Sequence, residues 1–78
     1  MHHQGTPERD LRAESAVLEF VLSQPPGLLT TRDLILELRD RDAVERAVRD
    51  LTATGLLRQE GESVYPTLAA VRYDRLSA

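Results

Sequence analysis

The 78-residue chain contains no cysteine and no tryptophan, and its only aromatic residues are two tyrosines and one phenylalanine. Without cysteine there is neither a disulfide framework nor a thiolate metal site, and nothing argues for an oxidising compartment. No apolar run approaches the roughly 20 residues that span a bilayer. The opening segment "MHHQGTPERD" lacks the apolar stretch of a secretory signal. These absences predict a cytoplasmic protein with no membrane contact.

The chain also lacks the features of an enzyme. It has no glycine-rich phosphate loop, no pairing of histidine with an acid at a useful spacing, and little room for a substrate pocket. His2 and His3 are the only histidines, and a tail or a cloning scar explains them better than a metal-binding start. We therefore expect a protein that is not an enzyme and that uses no metal and no cofactor.

The charge composition is acidic overall. The net charge is −3 at pH 7, which weighs against a nucleic-acid binder, although a local patch matters more than the total. Every cation is an arginine and none is a lysine. Arginine favours bidentate contact with phosphate or guanine, but the simpler explanation is a GC-rich genome.

Hydrophobic residues make up 41% of the chain and charged residues 29%, as in an ordinary globular domain. Residues 1–5 are predicted to be a disordered tail and residues 6–78 a single domain. Thr6 is predicted to cap a first helix with Pro7 at its first position. A broad apolar face indicates that this helix is buried on most sides, and "QPPG" ends it. Leu28 and Leu29 then suggest an edge strand of a single bridge.

Two short helices follow. Thr30 with Asp33 three residues later predicts a capping box at the start of a helix of about two turns. A tight connection over residues 39–41 leads to a third helix, for which Asp42 and Glu45 form a second capping box. This helix has one apolar stripe, formed by Ala43, Val44, Ala47, Val48 and Leu51.

The last third of the chain predicts a hairpin and a fourth helix. Gly55 stops the third helix, and two short extended runs around "EGE" predict a hairpin over residues 56–66. Thr67 caps a final helix over residues 68–76. The fold class is thus mainly α with a small β-hairpin, since three helices closed by a hairpin form the smallest arrangement that hides every apolar stripe.

This order of elements resembles the winged helix-turn-helix superfamily, in particular its small prokaryotic transcriptional regulators. The likeness covers about residues 7–76 and is carried by three segments. "LLTTRDLILEL" is similar to the entry into the helix-turn-helix, and "VRDLTATGLLRQEG" to the end of a recognition helix that runs into a wing. "VYPTLAAVRYDRL" is similar to a second wing strand followed by a C-terminal helix.

The resemblance implies a transcriptional regulator that binds double-stranded DNA. The third helix, residues 42–54, would enter the major groove, and the hairpin of residues 56–66 would be the wing. The implied base-reading side chains are on the third helix: Glu45, Arg46, Arg49 and Thr52. The side chains that would reach phosphates lie before that helix or at the root of the wing: Thr31, Arg32, Arg39, Arg41 and Arg58.

The wing departs from that pattern. Glu60 and Glu62 make its tip acidic, and carboxylates near a phosphodiester are repelled. Glu45 has two interpretations. In one it accepts a hydrogen bond from cytosine N4. In the other, which is simpler, it only completes the capping box with Asp42. Pairs spaced i,i+4 along the third helix would hold Arg46 and Arg49 by only ~0.3–0.5 kcal/mol each. The alternative function is therefore a winged-helix module that binds a basic protein and no DNA.

The C-terminal helix leaves two alternatives open. It is a candidate homodimer element between Leu68 and Leu76, because a small core gains stability from association. The other interpretation is that it packs back on the first helix of the same chain. Tyr65 and Tyr73 are expected to lie in the core or in an interface rather than to stack on bases.

Overall fold

The computed structural model describes residues 7–25 and 27–77, with side chains from residue 11 to residue 76 within those ranges. The predicted tail at residues 1–5 and the Thr6 cap lie outside the described residues. The elements follow in the order α1 (Pro7–Ser23), α2 (Thr31–Leu38), α3 (Arg41–Ala53), β1 (Leu57–Glu60), β2 (Ser63–Pro66) and α4 (Leu68–Ser77). The described chain is mainly helical with one antiparallel hairpin, which confirms the fold class at this level.

One hydrophobic core joins α1, α2, α3 and the hairpin. The stripe predicted on α3 is confirmed at four of its five residues, because Val44, Ala47, Val48 and Leu51 are buried in the same core as Leu34 of α2. Ala43, the fifth, is half-buried. The expectation that α1 is buried on most sides is confirmed in part. From residue 11 onwards, Val17 and Val21 are fully buried, but Leu11 is 61% exposed. The rest of the apolar face is partly buried, and α3, β2 and α4 all contact this helix.

The hairpin is tied to the segment between α1 and α2. Glu60 lies opposite Ser63, so that a two-residue turn joins β1 and β2. The single bridge that was expected at Leu28 and Leu29 forms one residue later, between Thr30 and Ser63. The amide of Val64 donates to the Leu29 carbonyl at 2.9 Å, and the Thr31 amide donates to the Glu62 carbonyl at 3.1 Å. These bonds hold the hairpin turn against the start of α2.

The capping box of α2 is confirmed, but the predicted cap of α3 is wrong. Thr30 Oγ1 accepts from the Asp33 amide at 3.1 Å, and the Asp33 carboxylate accepts from the Thr30 amide at 3.0 Å. On α3 the N-cap is Asp40, whose carboxylate accepts from the Ala43 amide at 3.1 Å. The helix therefore begins at Arg41, and no capping box links Asp42 to Glu45.

The end of α3 aims the chain into the hairpin. Thr54 is the C-cap, and Gly55 follows it with a φ of 87°, a conformation that glycine adopts without the cost of a Cβ. The Leu56 amide donates to the Leu51 carbonyl at 2.9 Å and the Gly55 amide to the Thr52 carbonyl at 3.2 Å. This pair of bonds is a Schellman motif.

The fourth helix adds little to the core. Thr67 caps it as predicted, since the Ala70 amide donates to Thr67 Oγ1 at 3.3 Å. Ala70 is its one fully buried residue within residues 68–76, whereas Leu68, Tyr73 and Leu76 are 71%, 61% and 86% exposed. The apolar side of α4 is thus not explained by packing within the chain.

The position of the α3 cap leads to a stability prediction. We expect Asp40→Ala to lower the free energy of unfolding by about 1 kcal/mol, because the Ala43 amide loses its acceptor. Asp42→Ala is the matched control and should cost only a few tenths of a kcal/mol, through the helix dipole. Urea denaturation of both variants measures the difference. If Asp42→Ala is the more damaging change, α3 does not begin at Arg41.

Candidate nucleic-acid interface

The turn between α2 and α3 fixes the direction of α3. Arg39 is the C-cap of α2 with φ 59° and ψ 33°, and its amide donates to the Ile35 carbonyl at 2.7 Å. It is the one non-glycine residue with a positive φ among the described residues, a conformation that costs a side-chain-bearing residue roughly 1–2 kcal/mol. Only Arg39 and Asp40 separate the helices, so α3 has little freedom relative to α2.

The solvent side of α3 borders a cleft against the hairpin. The cleft, which we call the α3–hairpin cleft, also includes the start of α2. Its lining residues come from all three elements: Thr31, Glu45, Val48, Arg49, Thr52, Gln59, Gly61 and Glu62. The hydrogen bond from the Thr31 amide to the Glu62 carbonyl joins two of these lining residues. Four of the nine side chains that the sequence pointed to therefore meet on one surface.

The polar groups of the cleft are partly engaged with one another. Gln59 Nε2 donates to Thr31 Oγ1 at 3.2 Å, and Thr52 Oγ1 donates to the Val48 carbonyl at 2.6 Å. Both threonine hydroxyl groups are thus held in place. The Thr52 oxygen retains lone pairs, and the Thr31 hydroxyl retains its proton, for a ligand.

Arg49 is the cation that lines the cleft. Its Nε lies 3.8 Å from Asp50 Oδ1, and the two side chains are 71% and 52% exposed. Its acidic partner is therefore the next residue in the chain and not Glu45. An exposed pair of this kind contributes little, typically ~0.2–1 kcal/mol, so the guanidinium group remains available to an incoming anion.

The structure separates Arg46 from Arg49. Arg46 lines a groove on the other flank of α3, where α1 supplies Arg12, Ala13 and Ala16. A step of three residues turns the helix by 300°, so Arg46 and Arg49 project only 60° apart, one on each side of the outward direction, and each lines the groove on its own side. Arg46 also interacts with other groups of the protein.

The remaining predicted cations lie outside the cleft. Arg32, Arg39 and Arg41 are exposed at the start of α2 and around the turn between the helices. Arg58 projects from the outer face of the hairpin, where its guanidinium carbon lies 4.8 Å from the centre of the Tyr65 ring. Its Nε also lies 3.3 Å from Glu60 Oε2. Arg58 therefore does not share a surface with Arg49.

Gln59 is the cleft residue that sequence reasoning missed. It lies between two residues that drew attention by their charge, Arg58 and Glu60. Strand alternation places its side chain on the same face as the buried Leu57, towards α3. That period-two pattern was the signal in the sequence that identifies it.

Among the residues that the structure describes, no group of acidic or histidine side chains is arranged to hold a metal ion. Within the same residues, no helix has the length and apolarity needed to cross a membrane. Comparison of the chain with protein-family models, with curated proteins and with solved structures finds no match in any of the three. The residues of the surface are thus the basis for any functional proposal.

Proposed function

We propose that the protein is a winged helix-turn-helix regulator of transcription that binds double-stranded DNA in the cytoplasm. In this proposal α3 lies in the major groove, and the hairpin is the wing against the DNA backbone. The observation that carries the proposal is the position of Arg49. This exposed cation of α3 faces the cleft and is bordered by the hairpin on one side and by the start of α2 on another.

The dimensions and the chemistry of α3 support this placement. Its 13 residues form a rod about 20 Å long and 10–12 Å wide, and the major groove is about 12 Å wide. Arg49 has the geometry for two hydrogen bonds to guanine. Glu45 lies one turn earlier on the same flank, and its carboxylate is no longer required as a helix cap. It is therefore available to accept from cytosine N4.

Phosphate contacts in this proposal come from side chains around the turn. Arg39 and Arg41 are exposed at the two ends of the connection between α2 and α3. The Thr31 amide already donates to Glu62, so Thr31 and Arg32 would reach phosphates through their side chains rather than through the start of the helix.

Titration of the protein with a pool of random duplex DNA at two salt concentrations tests the proposal. We expect micromolar or tighter binding at low salt that falls steeply as salt increases, because bound phosphates release counterions. Absence of binding at low salt overturns the proposal.

The second candidate function is a winged-helix module that binds a basic protein segment and no DNA. The observation that favours it is the acidic lining of the cleft, where Glu45 and Glu62 outnumber Arg49. A peptide rich in arginine would satisfy both carboxylates.

One variant with two substitutions distinguishes the two functions. We expect Glu60→Gln/Glu62→Gln, which leaves Glu45 in place as a base contact, to strengthen binding of duplex DNA by about tenfold, because two like charges at the turn of the hairpin no longer oppose the phosphates. The same variant should weaken binding of an arginine-rich peptide if the second function holds. Fluorescence anisotropy with both probes gives the answer. Weaker DNA binding together with weaker peptide binding supports the second function over the first.

A further inference from the structure

The exposed apolar side chains of the described chain are concentrated on α4. Three of the six large exposed hydrophobic residues lie on α4, namely Leu68, Tyr73 and Leu76. A ten-residue helix is marginal by itself in water, and α4 contributes little to the core through Ala70. Water is thus a poor environment for this face, and a partner that covers it would stabilise α4.

Beside this face lies a groove with acidic edges, which we call the α1–α4 groove. Leu18 and Leu22 of α1 and Tyr73 of α4 form its apolar part, and Glu19 and Asp74 lie at its edges. Ser15 completes the lining. Leu18 and Leu22 remain partly exposed, so the groove presents an apolar surface together with two carboxylates.

The end of α4 has the complementary composition. Leu76 is 86% exposed, and it lies one helical turn after Arg72 and next to Arg75, both of which are exposed. Neither arginine forms an ion pair with another described residue, and the same is true of Glu19 and Asp74. On the helix, Leu76 lies between Arg72 and Tyr73, and Tyr73 lines the α1–α4 groove. The chain thus presents an exposed apolar residue beside two cations, next to an apolar groove that is lined by two carboxylates.

We propose that this surface is the interface of a two-fold symmetric homodimer. In an isologous dimer the same patch of each copy forms the interface. Because this patch contains both the basic end of α4 and the acidic groove, the contact between them forms twice, once in each direction. Leu76 of each copy lies in the α1–α4 groove of the other, with Arg72 and Arg75 opposite the acidic edges. The result is a four-helix arrangement of α1 and α4 from the two copies. This dimer does not depend on DNA binding.

Sedimentation velocity over micromolar to millimolar protein tests the association. We expect a species of twice the 8.8 kDa chain mass that dissociates on dilution. Leu76→Glu should weaken the dimer at least tenfold and leave the helix content unchanged, because this side chain is already exposed in the monomer. Leu36→Glu on α2, where Leu36 is 68% exposed, is the matched control and should leave the dimer intact. A wild-type chain that stays monomeric throughout, or a Leu76→Glu chain that dimerises as well as the wild type, overturns the proposal.

Two charge-reversed chains test which side chains face each other. Glu19→Arg/Asp74→Arg makes both halves of the patch positive, and Arg72→Glu/Arg75→Glu makes both halves negative. Each variant alone should be monomeric, and an equimolar mixture should form a heterodimer, because every contact then joins opposite charges. Circular dichroism confirms that each variant is folded. If both variants are folded monomers and the mixture remains monomeric, the assignment of Arg72 and Arg75 to the partner's groove is wrong.

Discussion

Leu34→Ala is expected to lower the free energy of unfolding by about 3 kcal/mol, the middle of the range for a buried leucine cut to alanine. Leu34 is fully buried and belongs to the one core cluster that joins α1, α2, α3 and the hairpin. Its truncation removes apolar contacts and leaves a cavity in that core. A domain of this size has a small total stability. We therefore expect the melting temperature to fall by roughly 10–25 °C.

Leu36→Ala is the matched control for this prediction. It makes the same chemical change two residues later on the same helix, but Leu36 is 68% exposed. Its helix propensity is nearly retained, because alanine and leucine are both good helix formers. The control should change the free energy of unfolding by less than about 0.5 kcal/mol. Equal destabilisation by the two variants in urea denaturation would contradict the described core.

Arg49→Ala is expected to weaken duplex DNA binding by about tenfold to a hundredfold at moderate salt. Loss of a bidentate contact between arginine and a base costs ~1–3 kcal/mol. Arg49 is also the only cation lining the α3–hairpin cleft in the part of the chain that the structure describes. Its removal leaves Glu45 and Glu62 to face the phosphates alone. Anisotropy with a duplex selected from a random pool measures the effect.

Arg46→Ala is the comparison that makes this result specific. It removes the same charge from the same helix, but Arg46 lines the groove against α1. We expect the loss of binding free energy to be less than a third of the loss caused by Arg49→Ala. Because Arg46 contributes charge rather than a base contact, this smaller loss should shrink as the salt concentration increases. If the two variants lose equal affinity, the flank of α3 that faces the hairpin is not the reading surface.

The helix caps show how much of the fold could be predicted from the sequence. Thr30 with Asp33 predicted the start of α2 correctly, because that pair has no competitor nearby. At α3 the segment "RDRD" offers two aspartates, and Glu45 made Asp42 the better match to a capping box. In the structure Asp40 is the N-cap. Arg39 ends α2 in the left-handed conformation, so only Asp40 remains between it and the first residue of α3. An arginine in that conformation gives no signal of the kind that glycine gives.

The candidate site shows a similar limit. Thr31, Glu45, Arg49 and Thr52 were identified from the sequence and meet on one surface. Arg46 was grouped with Arg49 because both lie opposite the buried stripe of α3. The helical wheel does not show that α1 packs beside one flank of α3 and the hairpin beside the other. Gln59 was overlooked because its role depends on the contact with Thr31, 28 positions away.

By itself, the sequence determined the number and kind of elements, the buried stripe of α3 and the glycine-assisted turn into the hairpin. Each of these depends on local periodicity or on one residue's backbone preference, which short stretches of sequence encode. Only the tertiary structure decided that the hairpin turn is fixed to the start of α2, that Arg46 and Arg49 serve different grooves, and that α4 leaves its apolar face uncovered. Those features depend on which elements lie side by side, and that is set by the burial of all the stripes together.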